Sequence, residues 1–410
     1  MKTVNKPVTQ IFGKNKAEIK ARIIKIENSL VGVKYKSAKY NEEGSIIEGK
    51  SYANLEKRRH IYEIMEKGNT PGCCIALIKN FELEWVKGYG IEKTGTSTPI
   101  TVHTVFQAAS ISKVITTAMI LHLVDKKLVS LDEPLNNKLK DWKIPDNEFT
   151  KEKKITLRHI LTHSSGINSP NGGFSCDKGS IPTITQVLNG KPPARNDPVK
   201  VEFTPGSKHQ YSNLGFVIIE KLLQDLTGKG TNEIAEEILF EPIGIHESYM
   251  GYPCENLQKR MASPHYGGKS FESYVGLTPS VFAHGGLLTT PHDLAKITIE
   301  LMNAYQGNSN LVISTALAKE MFSRYIEHDP VKMWGMTGQG LGVFLYEEGE
   351  DFFFAHPGGN EPGSSGILMG SPTSGNGFVL MANSLENIME LFDSVKFTLA
   401  MEYEWPMRND

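Results

Sequence analysis

The spacing of apolar and polar positions divides the chain into a strand-bearing start, a helical middle and a strand-bearing end. Near the start, AEIKARIIKIENSL places Ile19, Ile23, Ile26 and Leu30 at helical intervals, which predicts a packing helix. Residues 57–67 continue a charged helical stretch that takes in Tyr52-Ala53-Asn54. After Pro71-Gly72, the runs CCIALI and LEWVKGYG predict two strands joined around Lys79-Asn80. From Ser110 to about residue 300 the pattern is mainly helical. Val114, Ile115, Ala118, Met119, Leu121 and Val124 repeat at helical spacing, and NLGFVIIEKLLQDLTGK runs from just after Tyr211 to a C-capping Gly228. TTPHDLAKITIELMNA carries Thr290 as N-cap, Pro291 at the first helical position and Asp293 in the first turn. Beyond residue 335, GLGVFLYEE, DFFFAH, SSGILMG and NGFVLMANS predict strands, followed by a helix from near Leu385 to Met401.

Strands at both ends with helices between them do not describe two domains laid end to end. They predict an α/β (α+β) fold, with an antiparallel sheet formed by the N- and C-terminal segments and flanked by helices. A mainly helical region is inserted from the middle. The boundaries expected are a helical extension over 1–50, a sheet domain from 51–109 and 286–410, and a helical domain over 110–285, with the active site at their interface. The Gly- and Pro-rich stretch 166–206 is the expected irregular region.

Composition narrows the function more than the fold. The 410 residues carry 44 Lys and Arg against 46 Asp and Glu, a formal charge of −2, which argues against a nucleic-acid partner. No apolar run approaches the ~20 residues needed to span a bilayer. The N-terminal residues lack the apolar core of a secretory signal, so a cytoplasmic location is expected, or a periplasmic or secreted one if a leader was removed. Cys73, Cys74, Cys176 and Cys254 contain no Cys-x-x-Cys pair and are expected to be buried free thiols.

The chemistry centres on Ser110-Ile111-Ser112-Lys113. A serine hydroxyl needs a proton acceptor before it becomes a useful nucleophile. Three residues apart on a helix, Ser110 and Lys113 are surface neighbours. The partial positive charge of a helix N-terminus disfavours an ammonium, and the free amide of Ser110 can face a developing oxyanion. The chain spells the same motif again at Ser175-Cys176-Asp177-Lys178, but in a Gly-rich loop with no helix after it. Tyr211-Ser212-Asn213 stands at a loop-to-helix junction, where Tyr211 can carry a proton and Asn213 can donate an amide to a substrate carbonyl. His356-Pro357-Gly358-Gly359 closes the strand DFFFAH, and the Gly359 amide can complete an oxyanion hole.

In that order, Ser110-x-x-Lys113, Tyr211-x-Asn213 and His356-x-Gly358 resemble the motifs of the serine β-lactamase and penicillin-binding-protein superfamily, in its class-C-like branch. The resemblance spans about residues 24–400 and includes LVSLDEPL, ITLRHILTHSSGI, FTPGSKHQYSNLGF and GGLLTTPHDLAKI. It implies a serine β-lactamase-like fold and an acyl-enzyme mechanism. Ser110 is then the nucleophile, Lys113 and Tyr211 handle protons, the amides of Ser110 and Gly359 hold the oxyanion, and Asn213 binds the acyl-side amide. His356, Gly358 and Gly359 line the substrate, with no cofactor and no metal. Either Lys113 or Tyr211 can be the base that starts acylation.

The third motif departs from the Lys-Thr-Gly that recognises penicillins. A Lys facing a substrate carboxylate at ~4 Å contributes ~4 kcal/mol at an effective dielectric of 20, before desolvation. A histidine of ordinary pKa, ~6.5, is mostly neutral at pH 7. The replacement therefore favours small esters, amides or D-amino-acid peptides over β-lactams and D-Ala-D-Ala peptides. A β-lactamase or D-Ala-D-Ala carboxypeptidase is an alternative, and so are acyl transfer and a non-catalytic binding or assembly module. Lys93-Thr94-Gly95 precedes the nucleophile and is read as coincidence. His159 and His163 are given a structural role in the LTHSSG turn. His284-Gly285-Gly286 is the weaker candidate for the third motif. Trp334 and Tyr346 are either cleft residues or core, and Phe106 and Gln107 set the turn before Ser110.

Overall fold

The computed structural model describes residues 9–35, 39–40, 46–48, 52–169, 174, 176, 180–328, 335–348 and 351–405. The elements that position the site are, in chain order, β1 (Thr9–Ile11), α1 (Lys16–Asn28), β2 (Gly72–Lys79), β3 (Glu82–Gly90), α2 (Ser112–Asp125), α3 (Asn213–Thr227) and α4 (Pro291–Gln306). The C-terminal part adds β4 (Ile326–Glu327), β5 (Gly338–Gln339), β6 (Phe344–Glu348), β7 (Asp351–Asn360), β8 (Ser364–Gly370), β9 (Gly377–Ala382) and α5 (Ile388–Glu402). Among the described residues nine strands form one sheet in the order β1-β3-β2-β9-β8-β7-β6-β5-β4. All its pairings are antiparallel.

The two ends of the chain meet where β2 pairs with β9, in the register Cys74↔Met381 and Ala76↔Val379. Alternate residues of these strands face opposite layers. Cys74, Ala76, Ile78, Val379 and Met381 join the core on the side of α2, α3 and α4. Cys73, Ile75, Leu77, Phe378 and Leu380 pack against α1 and α5 through Ile19, Ile23, Leu391, Phe392 and Val395. A sheet covered on both faces explains why these strands read as unbroken apolar runs rather than alternating ones. Helix α2 is buried on every side from Ser112 to Leu121, as expected of a helix at the centre of its layer.

Several local expectations differ from what is observed. The stretch read as helical across 52–67 is a strand, Tyr52–Arg59, followed by a helix, Ile61–Lys67, that starts only after its N-cap His60. The strand pairs with Leu30–Tyr35, a distant partner that local periodicity cannot reveal. The extension over 1–50 is accordingly not helical alone: β1 adds an edge strand to the main sheet through Gln10↔Val86, and Leu30–Tyr35 is extended. Cys73 and Cys74 are buried thiols, but Cys254 is exposed and Cys176 intermediate; all four are free. Ser175, Asp177, Lys178 and Trp334 lie outside the described residues.

Candidate active site

Ser110 occupies a single 3-10 turn, Ala109–Ile111, that feeds directly into α2. The turn is strained: Ala109 has φ +48°, a left-handed conformation that an L-residue with a side chain adopts at a cost of about 1–3 kcal/mol. Neighbouring strands hold it there. Phe106–Gln107 pairs with Leu287–Thr289, and the Ala108 amide donates to Leu287 O at 2.9 Å. Ser112 Oγ donates to Ala109 O at 2.6 Å and accepts from the Leu287 amide at 2.8 Å. Gln107 locks the rim through Ser273 O at 2.8 Å, Val275 O at 2.9 Å and the Asn360 amide at 3.0 Å.

Lys113 is completely buried, with Nζ 3.1 Å from Ser110 Oγ and 2.7 Å from His284 O. Loss of water around it pushes its pKa well below the ordinary lysine range. The cause is burial, a different origin from the helix-end charge expected from sequence. Tyr211 approaches from the start of α3: its ring lies 4.9 Å from Lys113 Nζ, and its phenol shares a hydrogen bond with Ser110. Burial raises the Tyr211 pKa, and the Ser110 hydrogen bond opposes this. Burial thus favours the neutral form of both groups, the amine of Lys113 and the phenol of Tyr211. Asn213 is the first residue of α3 after the N-cap Ser212, and its Oδ1 is buried without a hydrogen-bond partner.

The third motif lies on β7. Over Pro357–Asn360 this strand pairs with β8 alone, so its other edge is open. Proline cannot give an N–H to a ladder, and its place at 357 fits a position facing that open edge. Strand alternation then directs the Gly359 amide the same way. Gly358 sits flush against the Ser110 turn: a Cβ there would meet Ala108 O at 2.3 Å and the Ser110 amide at 3.2 Å. His356 is buried, and its Nδ1 lies 2.6 Å from Pro357 O. Since a carbonyl only accepts, Nδ1 carries the proton and Nε2 is left as a bare acceptor without a partner. Burial first, and Lys113 second, push its pKa down to about 3.

Three residues reach the site in ways the sequence does not show. His163 lies against Tyr211 with ring centroids 4.3 Å apart, and its Nδ1 accepts the Ser212 amide at 3.2 Å. His284 reaches the site through its carbonyl on Lys113 and not as a third motif. Its ring, packed on Phe174, is held neutral with a pKa of about 3 by burial. Glu220, on α3, holds the chain just before His284. By contrast His159 caps the short helix Leu157–Leu161, as a structural reading of it requires. Tyr346 packs against the outer core, and Lys396 lies 5.6 Å from its ring, so it is no cleft residue. Lys93 and Thr94 form a surface turn with Glu272 and His265.

Residues 58–394 match the family described as Beta-lactamase. The chain belongs to that family. It is similar to Penicillin-binding protein 4 of Amycolatopsis lactamdurans, at 26% identity over 286 residues covering 68% of this chain and 72% of that one. In fold it is similar to the octameric penicillin-binding protein homologue from Pyrococcus abyssi, with TM-score 0.68, 24% identity and coverage of 84% and 76%. It is likewise similar to the D-amino acid amidase of Ochrobactrum anthropi SV3, with TM-score 0.68, 21% identity and coverage of 84% and 97%. This β-lactamase-family member is thus a serine hydrolase of amide, ester or peptide substrates, built on a helix-flanked antiparallel sheet. Among the described residues no helix is long and apolar enough to cross a membrane.

Proposed function

We propose that this serine hydrolase forms an acyl-enzyme on Ser110 and acts on small esters or amides that carry no carboxylate beside the scissile bond. His356 supports this reading. Where a penicillin-recognising relative would offer a fixed cation, this chain offers a buried, neutral imidazole whose free nitrogen is a lone pair. A lone pair attracts an N–H or O–H donor and repels a carboxylate. An amino group or a neutral acyl chain therefore suits the site better than the carboxylate of a β-lactam.

Lys113 is the base in this reading. Burial favours its neutral amine, 3.1 Å from Ser110 Oγ, whereas Tyr211 keeps its proton because burial disfavours a phenolate. Ser110 Oγ bonds to the substrate carbonyl carbon as its proton passes to Lys113. The amides of Ser110 and Gly359 receive the oxyanion. On collapse the carbonyl–leaving-group bond breaks, and Tyr211 passes a proton to the departing amine or alkoxide and is reprotonated from Lys113. Water then attacks the acyl carbon by the same route and frees Ser110.

A panel of a nitrophenyl butyrate, a D-alanine anilide and a chromogenic cephalosporin tests the proposal. The ester or the anilide is expected to exceed the cephalosporin in kcat/KM by at least about tenfold, a small part of the ~4 kcal/mol a fixed cation offers a carboxylate. Faster cephalosporin turnover would overturn it. His356→Lys should move preference toward the cephalosporin.

A further inference from the structure

The reach of Lys113 to Ser110 depends on a contact outside the three motifs. A neutral amine has two N–H groups and one lone pair, so the direction of that lone pair is set by whatever accepts the N–H groups. His284 O accepts one at 2.7 Å, and the rings of Tyr211 and Phe216 lie 4.9 and 5.5 Å from Nζ. Ser110 Oγ, 3.1 Å away, is then the polar neighbour to which the lone pair can turn. The aim of the base is then only as good as the placement of one backbone carbonyl.

That carbonyl belongs to an irregular segment, Phe282–His284, which no strand or helix holds. Glu220 fixes it. Its Oε2 accepts the amides of Phe282 at 2.7 Å and Ala283 at 3.0 Å, while its Oε1 accepts the Thr231 hydroxyl at 2.6 Å. From the opposite side Thr116, one turn after Lys113 on α2, donates its hydroxyl to Ala283 O at 2.8 Å. The Gly285 and Gly286 amides close the turn on Phe282 O at 3.0 and 2.7 Å. Glu220 is entirely buried, on the helix that opens with Asn213. A lone carboxylate in such a place is costly, and an apolar residue of similar size is the ordinary occupant of a helix core. All three of its contacts are donors pointing at it, two of them backbone amides of the segment that ends at Lys113's acceptor.

We propose that Glu220 is a positioning residue for acylation: by clamping the Phe282-Ala283 amides it sets the His284 carbonyl, which in turn directs the Lys113 lone pair at Ser110. Thr116 is the second jaw of the clamp. The inference rests on Ser110 being the acylated residue but not on the class of substrate, so its test uses a probe that needs no substrate match.

The experiment measures the second-order rate at which a fluorophosphonate labels Ser110, from pH 6 to 10, in the full chain. Glu220→Leu is expected to label about 10- to 100-fold more slowly, as a misplacement near 1 Å commonly does. The acid limb of its profile should also move to higher pH, because a loosened turn admits water to Lys113. Tyr211, His163, His284 and His356 are the other titratable groups facing that amine, and all are present in every variant. Glu220→Gln keeps an acceptor oxygen for the two amides and should recover most of the rate. Thr116→Val, which leaves Glu220 in place, should slow labelling about 3- to 10-fold, the loss of one buried hydrogen bond. A folded Glu220→Leu that labels at the wild-type rate, or slows with an unmoved acid limb and no recovery in Glu220→Gln, overturns the proposal. Should Glu220→Leu fail to fold, a Thr116→Val that labels at the wild-type rate does so instead. Absence of labelling in the wild type would instead count against acylation at Ser110.

Discussion

The two faces of the sheet are packed by different rules. On the outer face, Ile19, Ile23, Trp85, Leu391, Phe392, Val395 and Leu399 form an apolar layer, and the charges buried with it are paired, Lys87 with Glu27 and Lys396 with Asp393. On the inner face an equally tight apolar core surrounds Lys113, His163, His284, Asn213 and His356, all with buried polar atoms. Of these, His163 Nε2, Asn213 Oδ1, His284 Nδ1 and His356 Nε2 have no hydrogen-bond partner. Buried polar atoms without partners cost about 1–3 kcal/mol each. Four of them gather around one serine, where stability has been given up, whereas the unpartnered Ser394 Oγ and Trp405 Nε1 of the outer face surround no reactive group.

The comparison breaks most sharply at Ser110. Ser110→Ala should lower turnover by on the order of 10⁶-fold while leaving the thermal midpoint unchanged, measured by steady-state kinetics and calorimetry on one preparation. Lys113→Met should cost about 10²- to 10⁴-fold in kcat. The same change should raise stability by about 0.5–2 kcal/mol, because burial disfavours the charged form that an unfolded lysine carries. A fall in stability would contradict the account of Lys113 as a desolvated neutral base. Gly358→Ala places a methyl group 2.3 Å from Ala108 O and should reduce acylation about 10- to 100-fold by pushing β7 off the Ser110 turn.

On the outer face the effects should reverse. Leu391→Ala is expected to cost about 2–5 kcal/mol in urea unfolding with kcat unaltered. Acidification probes the inner face as a whole. His159 and His209 are held near pKa 4, and His284 and His356 near 3, each chiefly by burial. These are bases with folded pKa values below the unfolded ~6.5, so the unfolded chain binds more protons between about pH 4 and 6.5. Their contribution is intact above ~6.5 and lost as pH falls, and the urea midpoint should drop between pH 7.5 and 5. Replacing His209, whose ring lies between those of His328 and His163, with Gln should flatten part of that drop.

The sheet, the helical middle and the motif residues were legible because each has a local signature. The apolar runs of β2 and β7–β9, the Thr290-Pro291 cap and the Gly228 stop are written within a few residues of where they act. Ser110, Lys113, Tyr211 and His356 fall in short motifs whose order is itself informative. Glu220 was invisible for the opposite reason. It spells an ordinary helical position, and its partners Phe282 and Ala283 lie 62 and 63 residues away in an irregular segment. His163 reads as a turn histidine until α3 brings Tyr211 against it. The strand Tyr52–Arg59 was misread because its partner, not its composition, makes it extended.

The pairing of β2 with β9 also has a consequence for biosynthesis. Some 300 residues separate the two strands, so at ~5–20 residues per second a ribosome needs on the order of 15–60 s to deliver the second after the first. Throughout that interval Cys74–Ile78 offers an apolar strand edge to any other chain nearby, the configuration from which aggregation and domain exchange start. Expression at lower temperature, or with a chaperone that shelters extended apolar segments, should therefore raise soluble yield more for this protein than for one whose sheet is assembled from neighbouring hairpins.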